Sequence, residues 1–344
     1  MVQSFTQLVV LSSAVVFIFI VYSVSNKSFD SSLFVSGLVN ICRFQPLKLE
    51  SATSIIRRVI NNSSDDNEFF IFSDESPFVR KYLDVVRDTV CGLTLRTQDR
   101  TVGGTINNTS PLNIERRLKG EDWPLIGITM IGQKRLTNIE WALRRVIAKD
   151  VPGDFIECGV WRGGSSIFAS AVLKALKIND RHVWLADSFQ GLPKARTKND
   201  NDEWSKLEYL KVSLEEVQTN FRSFDLLDDN VHFCKGYFVD SLPRCNISQI
   251  AVLRMDGDMY ESTMDQLFNL YAKLQFDGVI IVDDYTVGEC HRAVHDFRSW
   301  HNITEDITMI PEESAGRYWI KKKMIKVKMD RYKPLLVSSM KYTR

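Results

Sequence analysis

The sequence predicts an α/β fold, a doubly wound and mainly parallel sheet, and three observations carry that prediction. Short apolar runs alternate with amphipathic stretches from residue 136 onward, the βαβ rhythm of a parallel sheet. Four of those runs end in acid, at Glu157, Asp187, Asp256 and Asp283. A glycine-rich turn, Gly159 to Ser165, joins the first run to the helix after it. In open parallel sheets ligands bind outside the carboxyl ends of the strands, so these features share one edge.

The elements follow in order. Leu8 to Val24 form an uncharged apolar stretch, short for a bilayer span and long for a signal-peptide core. Residues 1–24 therefore read as a single-pass signal anchor with a lumenal catalytic domain; secretion after cleavage is the alternative. Sequons at Asn26, Asn61, Asn62, Asn107, Asn108, Asn246 and Asn302 agree with that setting. Residues 25–77 are polar and turn-rich and read as a stem. A catalytic domain is expected over 78–325 and a basic tail over 326–344.

Within the domain, 82–93 has helical spacing and the polar stretch 96–110 reads as a mobile loop. Leu136 to Lys149 form an amphipathic helix that suits packing against a second subunit. Strands are expected at 155–160, 182–188, 231–236, 250–258 and 278–285, with helices between them, and two more strands close the fold at 307–311 and 317–323.

Composition excludes some functions. The chain has 344 residues, a formal net charge of +1 and no long basic block, which argues against nucleic acid as a partner. Its 44% hydrophobic content supports a core without staples. The six cysteines show no zinc spacing and read as buried free thiols.

The chemistry sits at the strand ends. The turn spells G-x-x-x-G-G, with Gly159, Gly163 and Gly164, and misses the dinucleotide pattern G-x-G-x-x-G. Glu157 beside it suits the ammonium of an amino-acid-like ligand, and Asp187 suits the hydroxyls of a ribose. Gly236 and Tyr237 are placed to border an adenine ring. The strongest signal is Asp256-Gly257-Asp258 with Asp283-Asp284. Four carboxylates on one edge repel, and a hard divalent cation such as Mg²⁺ would offset that. Such an ion lowers the pKa of a bound hydroxyl, and a spare carboxylate takes the proton. Spacing alone leaves open which acids bind and which accepts the proton. His291 and His295 share a helix face and could touch substrate, although packing histidines are commoner; Arg292 and Arg298 suit ion pairs.

These residues resemble the macrocin O-methyltransferases, which methylate sugar hydroxyls. The resemblance runs over residues 78–325 and rests on YLDVVRDTVCGL, GITMIGQKRLTNIE, VPGDFIECGVWRGGSS, LADSFQGLP, LRMDGDMYESTM, VIIVDDY, AVHDFR and GRYWIKK. It implies a seven-stranded methyltransferase sheet, S-adenosylmethionine and Mg²⁺. By position it implies that Glu157, Gly159, Gly163, Gly164 and Ser165 hold the methionine part, and Asp187 and Ser188 the ribose, with Thr129 and Met130 closing over the cofactor. It implies Asp256, Asp283 and Asp284 as metal ligands and Asp258 as general base. His295 departs from the family, which usually has an acid there. The implied acceptor is a glycoside or glycan. A nicotinamide-dependent oxidoreductase and a non-catalytic membrane-tethered binding module are the alternatives.

Overall fold

The computed structural model describes residues 76–94, 98–103 and 108–339, all inside one compact unit, Ala52–Arg344. The signal anchor and most of the stem lie outside the described residues. No helix among the described residues is long and apolar enough to cross a membrane.

The described chain starts with α1 (Pro77–Val90), β1 (Arg100–Val102), β2 (Thr109–Pro111), α2 (Ile114–Lys119), β3 (Trp123–Pro124) and α3 (Gly132–Ala148). Then strands and helices alternate: β4 (Asp154–Cys158), α4 (Gly164–Ala175), β5 (Val183–Asp187), α5 (Leu214–Ser223), β6 (Val231–Lys235), α6 (Phe238–Ser241), β7 (Ile250–Met255), α7 (Tyr260–Leu270), β8 (Leu274–Val282) and α8 (Gly288–His301). β9 (Thr308–Met309), β10 (Arg317–Ile320) and α9 (Lys333–Ser339) complete it.

Seven strands form the main sheet in the order β6-β5-β4-β7-β8-β10-β9. The first five are parallel, and β10 runs antiparallel to β8 and β9. The order reverses between β4 and β7, and such a switch point is where open sheets bind ligands. Both sheet faces are covered, so the central strands are mostly apolar, with the charged Glu157 of β4 and Arg254 of β7 fully buried. In β8, Val279 and Ile281 join the core under α1, α3 and α4, while Ile280 and Val282 join the core under α7 and α8. The period-2 alternation of a strand divides the two layers.

Four sequence expectations change here. The stretch read as a mobile loop holds β1 and β2, which with β3 form a small antiparallel sheet in the order β2-β1-β3. Buried Arg117 pairs with Asp99 and Asp122 and fixes that sheet to α2. The helix offered as a subunit contact is buried: Leu136, Ile139, Leu143 and Val146 pack in the core, and Glu140, Arg144 and Arg145 are buried too, so its apolar face is already used within this domain. The cysteines are not all free, since Cys234 and Cys245 form a disulfide; Cys91, Cys158 and Cys290 are free and buried. The segment read as a basic tail packs back, with Tyr332 and Leu335 buried in the core against α7 and α8.

Candidate active site

β4 delivers the first wall. At its end Gly159 takes φ +88°, and an added Cβ would lie 1.6 Å from the carbonyl oxygen of Asp256. Only glycine lets the two strand ends touch there. Gly164 opens α4 against the Ile128 carbonyl, where a Cβ would come within 2.5 Å. Fully buried Glu157 accepts hydrogen bonds from Ser165 and Ser166 and from Arg254 Nη1 at 2.6 Å. Burial pushes its pKa up to about 7, against the pull of Arg254.

β5 delivers the second wall. Asp187 Oδ2 accepts from the Val160 N–H at 2.8 Å and Oδ1 from the Phe189 N–H at 2.7 Å. Burial raises its pKa, and those bonds oppose the rise. Ser188 Oγ donates to the Gly191 carbonyl at 2.6 Å.

β7 and β8 end side by side, with Met255 opposite Val282. Their acids therefore leave the sheet together. Carboxylate oxygens of Asp256, Asp258 and Asp284 all lie within 4.8 Å of one another. Asp258 sits at φ 53°, and its N–H donates to Asp284 Oδ2 at 3.0 Å. Burial and the charges of Asp256 and Asp283 lift the Asp258 pKa to about 8. Burial and Asp283 lift Asp256 to about 6, although Arg254 Nη1 donates to its Oδ2 at 2.9 Å. Burial and Asp258 raise Asp284 strongly.

Asp283 lines the same cavity and is paired with arginines: Arg254 takes its Oδ1 and Arg135 its Oδ2. The acid that joins Asp256 and Asp284 is Asp258. Sequence reasoning missed both arginines. A signal was present, because an arginine two residues before Asp256 in a buried strand shares its face and demands partners.

One cavity of about 1010 Å³ connects these walls. Of the expected residues, Thr129, Met130, Glu157, Gly159, Ser165, Asp187, Ser188, Tyr237, Asp256, Asp258, Asp283 and Asp284 line it. Gly163, Gly164 and Gly236 do not; they shape the turns behind it. Trp123, Trp161 and Trp204 also line it, unforeseen in the sequence. Trp123 stacks on Tyr209 with centroids 5.2 Å apart and planes 7° apart. The segment after β5 closes one rim through Leu192, Lys194 and Arg196. Arg196 binds Asp265 at 2.7 Å and Glu261 at 3.2 Å, and Asp200 accepts from the N–H groups of Tyr260 and Glu261 at the start of α7.

His291 and His295 are exposed and do not line the cavity; His295 Nε2 is 2.7 Å from the Tyr285 hydroxyl. Arg292 donates to the Asn199 carbonyl and Arg298 to that of Glu305, in place of the expected ion pairs.

The family model of the macrocin O-methyltransferases (TylF) matches residues 78–321. The chain belongs to the macrocin O-methyltransferase family. Its sheet and cavity are those of an S-adenosylmethionine-dependent O-methyltransferase, and the nicotinamide alternative falls. This methyltransferase is 42% identical over 250 residues to mycinamicin III 3''-O-methyltransferase of Micromonospora griseorubida, covering 70% of this chain and 96% of the relative. It is 46% identical over 211 residues to demethyldecarbamoylnovobiocin O-methyltransferase of Streptomyces niveus, covering 60% and 80%. The solved structure of the O-methyltransferase NovP superposes with a TM-score of 0.66 at 41% identity, covering 71% of this chain and 100% of that one.

The relatives correct the expected location. They are named as O-methyltransferases of Micromonospora and Streptomyces, 96% of the first is matched by 70% of this chain, and no helix among the described residues is long and apolar enough to cross a membrane, so the membrane-anchored, lumenal expectation is withdrawn.

Proposed function

We propose that this methyltransferase moves the methyl group of S-adenosylmethionine to a sugar hydroxyl of a glycoside, with Mg²⁺ held at the acid cluster of a catalytic domain spanning residues 78–325. The observation that carries the reading is that the carboxylate trio lines one cavity together with Trp123, Trp161 and Trp204. Trp123 offers a flat face of the kind that sugar rings stack on through their C–H groups. The names of the relatives point the same way, to mycinamicin and to novobiocin precursors.

The residues fit a hard cation. Asp256, Asp258 and Asp284 supply only oxygen; burial first, and then the neighbouring carboxylates, raise their pKa values, and a divalent ion would offset both. Bound there, Mg²⁺ would polarise the acceptor hydroxyl. Asp256 and Asp284 would hold the ion. Asp258 meets no cationic side chain among the described residues and accepts the hydroxyl proton. Asp283 becomes a positioning residue, fixed between Arg254 and Arg135.

Glu157, Ser165, Thr129 and Met130 hold the methionine end of the cofactor. Asp187, Ser188 and Tyr237 hold its nucleoside. With the cofactor bound, its sulfonium would supply the methyl group to the acceptor oxygen and depart as neutral S-adenosylhomocysteine, while Asp258 takes the hydroxyl proton. The protein supplies alignment and the sulfonium supplies reactivity.

The test is transfer of labelled methyl to a panel of glycosides and simple phenols, with Mg²⁺ or with a chelator, read by mass spectrometry. Mg²⁺-dependent labelling of a sugar oxygen is expected. The Asp258→Asn variant should lose roughly 10²- to 10⁴-fold in kcat while keeping cofactor affinity. Labelling of phenols alone, or full activity in chelator, would remove the sugar or the metal assignment respectively.

A further inference from the structure

We propose that the Cys234–Cys245 disulfide is a positioning clamp for the nucleoside end of the cofactor pocket, so that the oxidised protein binds S-adenosylmethionine more tightly than the reduced one. This rests on the methyl-donor reading above.

Cys234 lies near the end of β6, in register with Ala186 of β5. Cys245 follows the 3-10 turn Leu242–Arg244 and is buried in the core against α7 and α8. The sequence separation is 11, and the bridge closes a loop around the residues between. Four of those residues, Tyr237, Phe238, Val239 and Asp240, line the cavity. The disulfide therefore ties the far end of a cavity wall to the sheet.

Buried Leu242 and partly buried Phe238 also seat the wall on the core, but few polar bonds tie it to the sheet. Its helix, α6, has only 4 residues, too short to be stable on its own. The Gly236 N–H donates to the Asp187 carbonyl at 2.8 Å and anchors the near end. Ser241 Oγ donates to the Gly236 carbonyl at 3.0 Å, a bond inside the loop. Lys273 Nζ reaches the Cys245 carbonyl only at 3.5 Å. A cross-link removes conformations that such a loop would otherwise sample. A site that is competent only part of the time binds more weakly by that fraction.

Opening the clamp needs a thiol reductant. Its thiolate attacks one sulfur, forms a mixed disulfide and releases the other thiolate; a second reductant thiol completes the two-electron reduction and leaves two protonated cysteines. The cysteines are only 7% and 8% exposed, so attack requires the loop to move. Coupling is reciprocal, and bound cofactor must slow that reduction to the degree that the bridge tightens the cofactor.

The experiment uses the full chain in three forms: untreated, reduced with dithiothreitol, and Cys245→Ser. Titration calorimetry measures S-adenosylmethionine affinity, near-ultraviolet circular dichroism follows the fold, and timed alkylation follows reduction. The expected result is a Kd on the order of tenfold weaker in the reduced and Cys245→Ser proteins, an unchanged dichroism spectrum, and slower reduction when the cofactor is present. Equal affinities, or reduction at the same rate with and without cofactor, overturn the clamp and leave the methyl-donor reading standing. Failure of all three forms to bind overturns both. Loss of the dichroism signal on reduction would make the bridge a general staple and overturn the clamp, as would free Cys234 and Cys245 thiols in the untreated protein.

Discussion

Arg254→Met tests the electrostatic frame of the site. Arg254 is fully buried and pairs with Glu157 at 2.6 Å, with Asp256 at 2.9 Å and with Asp283. Burial works against its charge, but Asp283, Asp256 and Glu157 outweigh that and keep it protonated. Methionine preserves the apolar stem and removes the cation. Each hydrogen bond to a charged group contributes about 1.5–3 kcal/mol, but Glu157 and Asp256 can protonate once abandoned, and that caps the loss. Breaking a buried pair from one side costs about 3–5 kcal/mol. At roughly 2–4 °C per kcal/mol for a domain of this size, the melting temperature should fall by about 10 °C. The assay is denaturant and thermal unfolding at pH 7.5 and pH 5.5. Burial raises the pKa of Glu157 to about 7 and that of Asp256 to about 6, so protonating these two costs less at the lower pH and the deficit should shrink there. A variant within about 1 kcal/mol of the wild type at pH 7.5, or a deficit that grows on acidification, would refute the reasoning.

Three further outcomes follow from the geometry. Gly159→Ala must move the Asp256 carbonyl, so it should destabilise by at least about 2 kcal/mol and weaken cofactor binding, measured by unfolding and calorimetry. Trp123→Ala should raise the acceptor KM roughly tenfold with S-adenosylmethionine affinity unchanged; the reverse pattern would take Trp123 out of the acceptor wall. Lys321 is fully buried, donates to the Tyr271 and Leu274 carbonyls, and has its pKa pushed down by burial from 10.5 to about 8. Between about pH 8 and 10.5 the unfolded chain binds a proton there that the folded one does not, so this residue's contribution to stability rises with pH by up to roughly 3 kcal/mol. The difference between wild type and Lys321→Met across that window isolates it, and a flat difference would refute the assignment.

The parallel strands were legible because burial on both faces makes them largely apolar runs, as in GVIIV and in IAVLRM with its single arginine. The acids at their ends were legible because topology alone places strand ends on one edge. Three features were not. β1 and β2 are three residues long and polar, and depend on Arg117 meeting Asp99 and Asp122, partners that spacing does not reveal. The tie of the segment after β5 to α7 links Arg196 to Asp265 and Glu261 across more than sixty residues. The roles within the acid cluster depend on where two arginines point, and Arg135 comes from a helix read as merely amphipathic.

The register of β7 on β8 has a consequence for how such enzymes diversify. Met255 and Val282 are opposite each other in the ladder, so Asp256 and Asp283, each one residue past it, are spaced by interstrand pairing, and Asp258 and Asp284 follow in the turns. A slip of one residue would turn the acids to opposite faces. The rims that meet an acceptor, around Trp123 and around Arg196, hang on segments outside that ladder. Insertions or replacements in them can retune what is methylated while the ruler that spaces the carboxylates stays fixed, so the chemistry and the choice of substrate can drift independently in this scaffold.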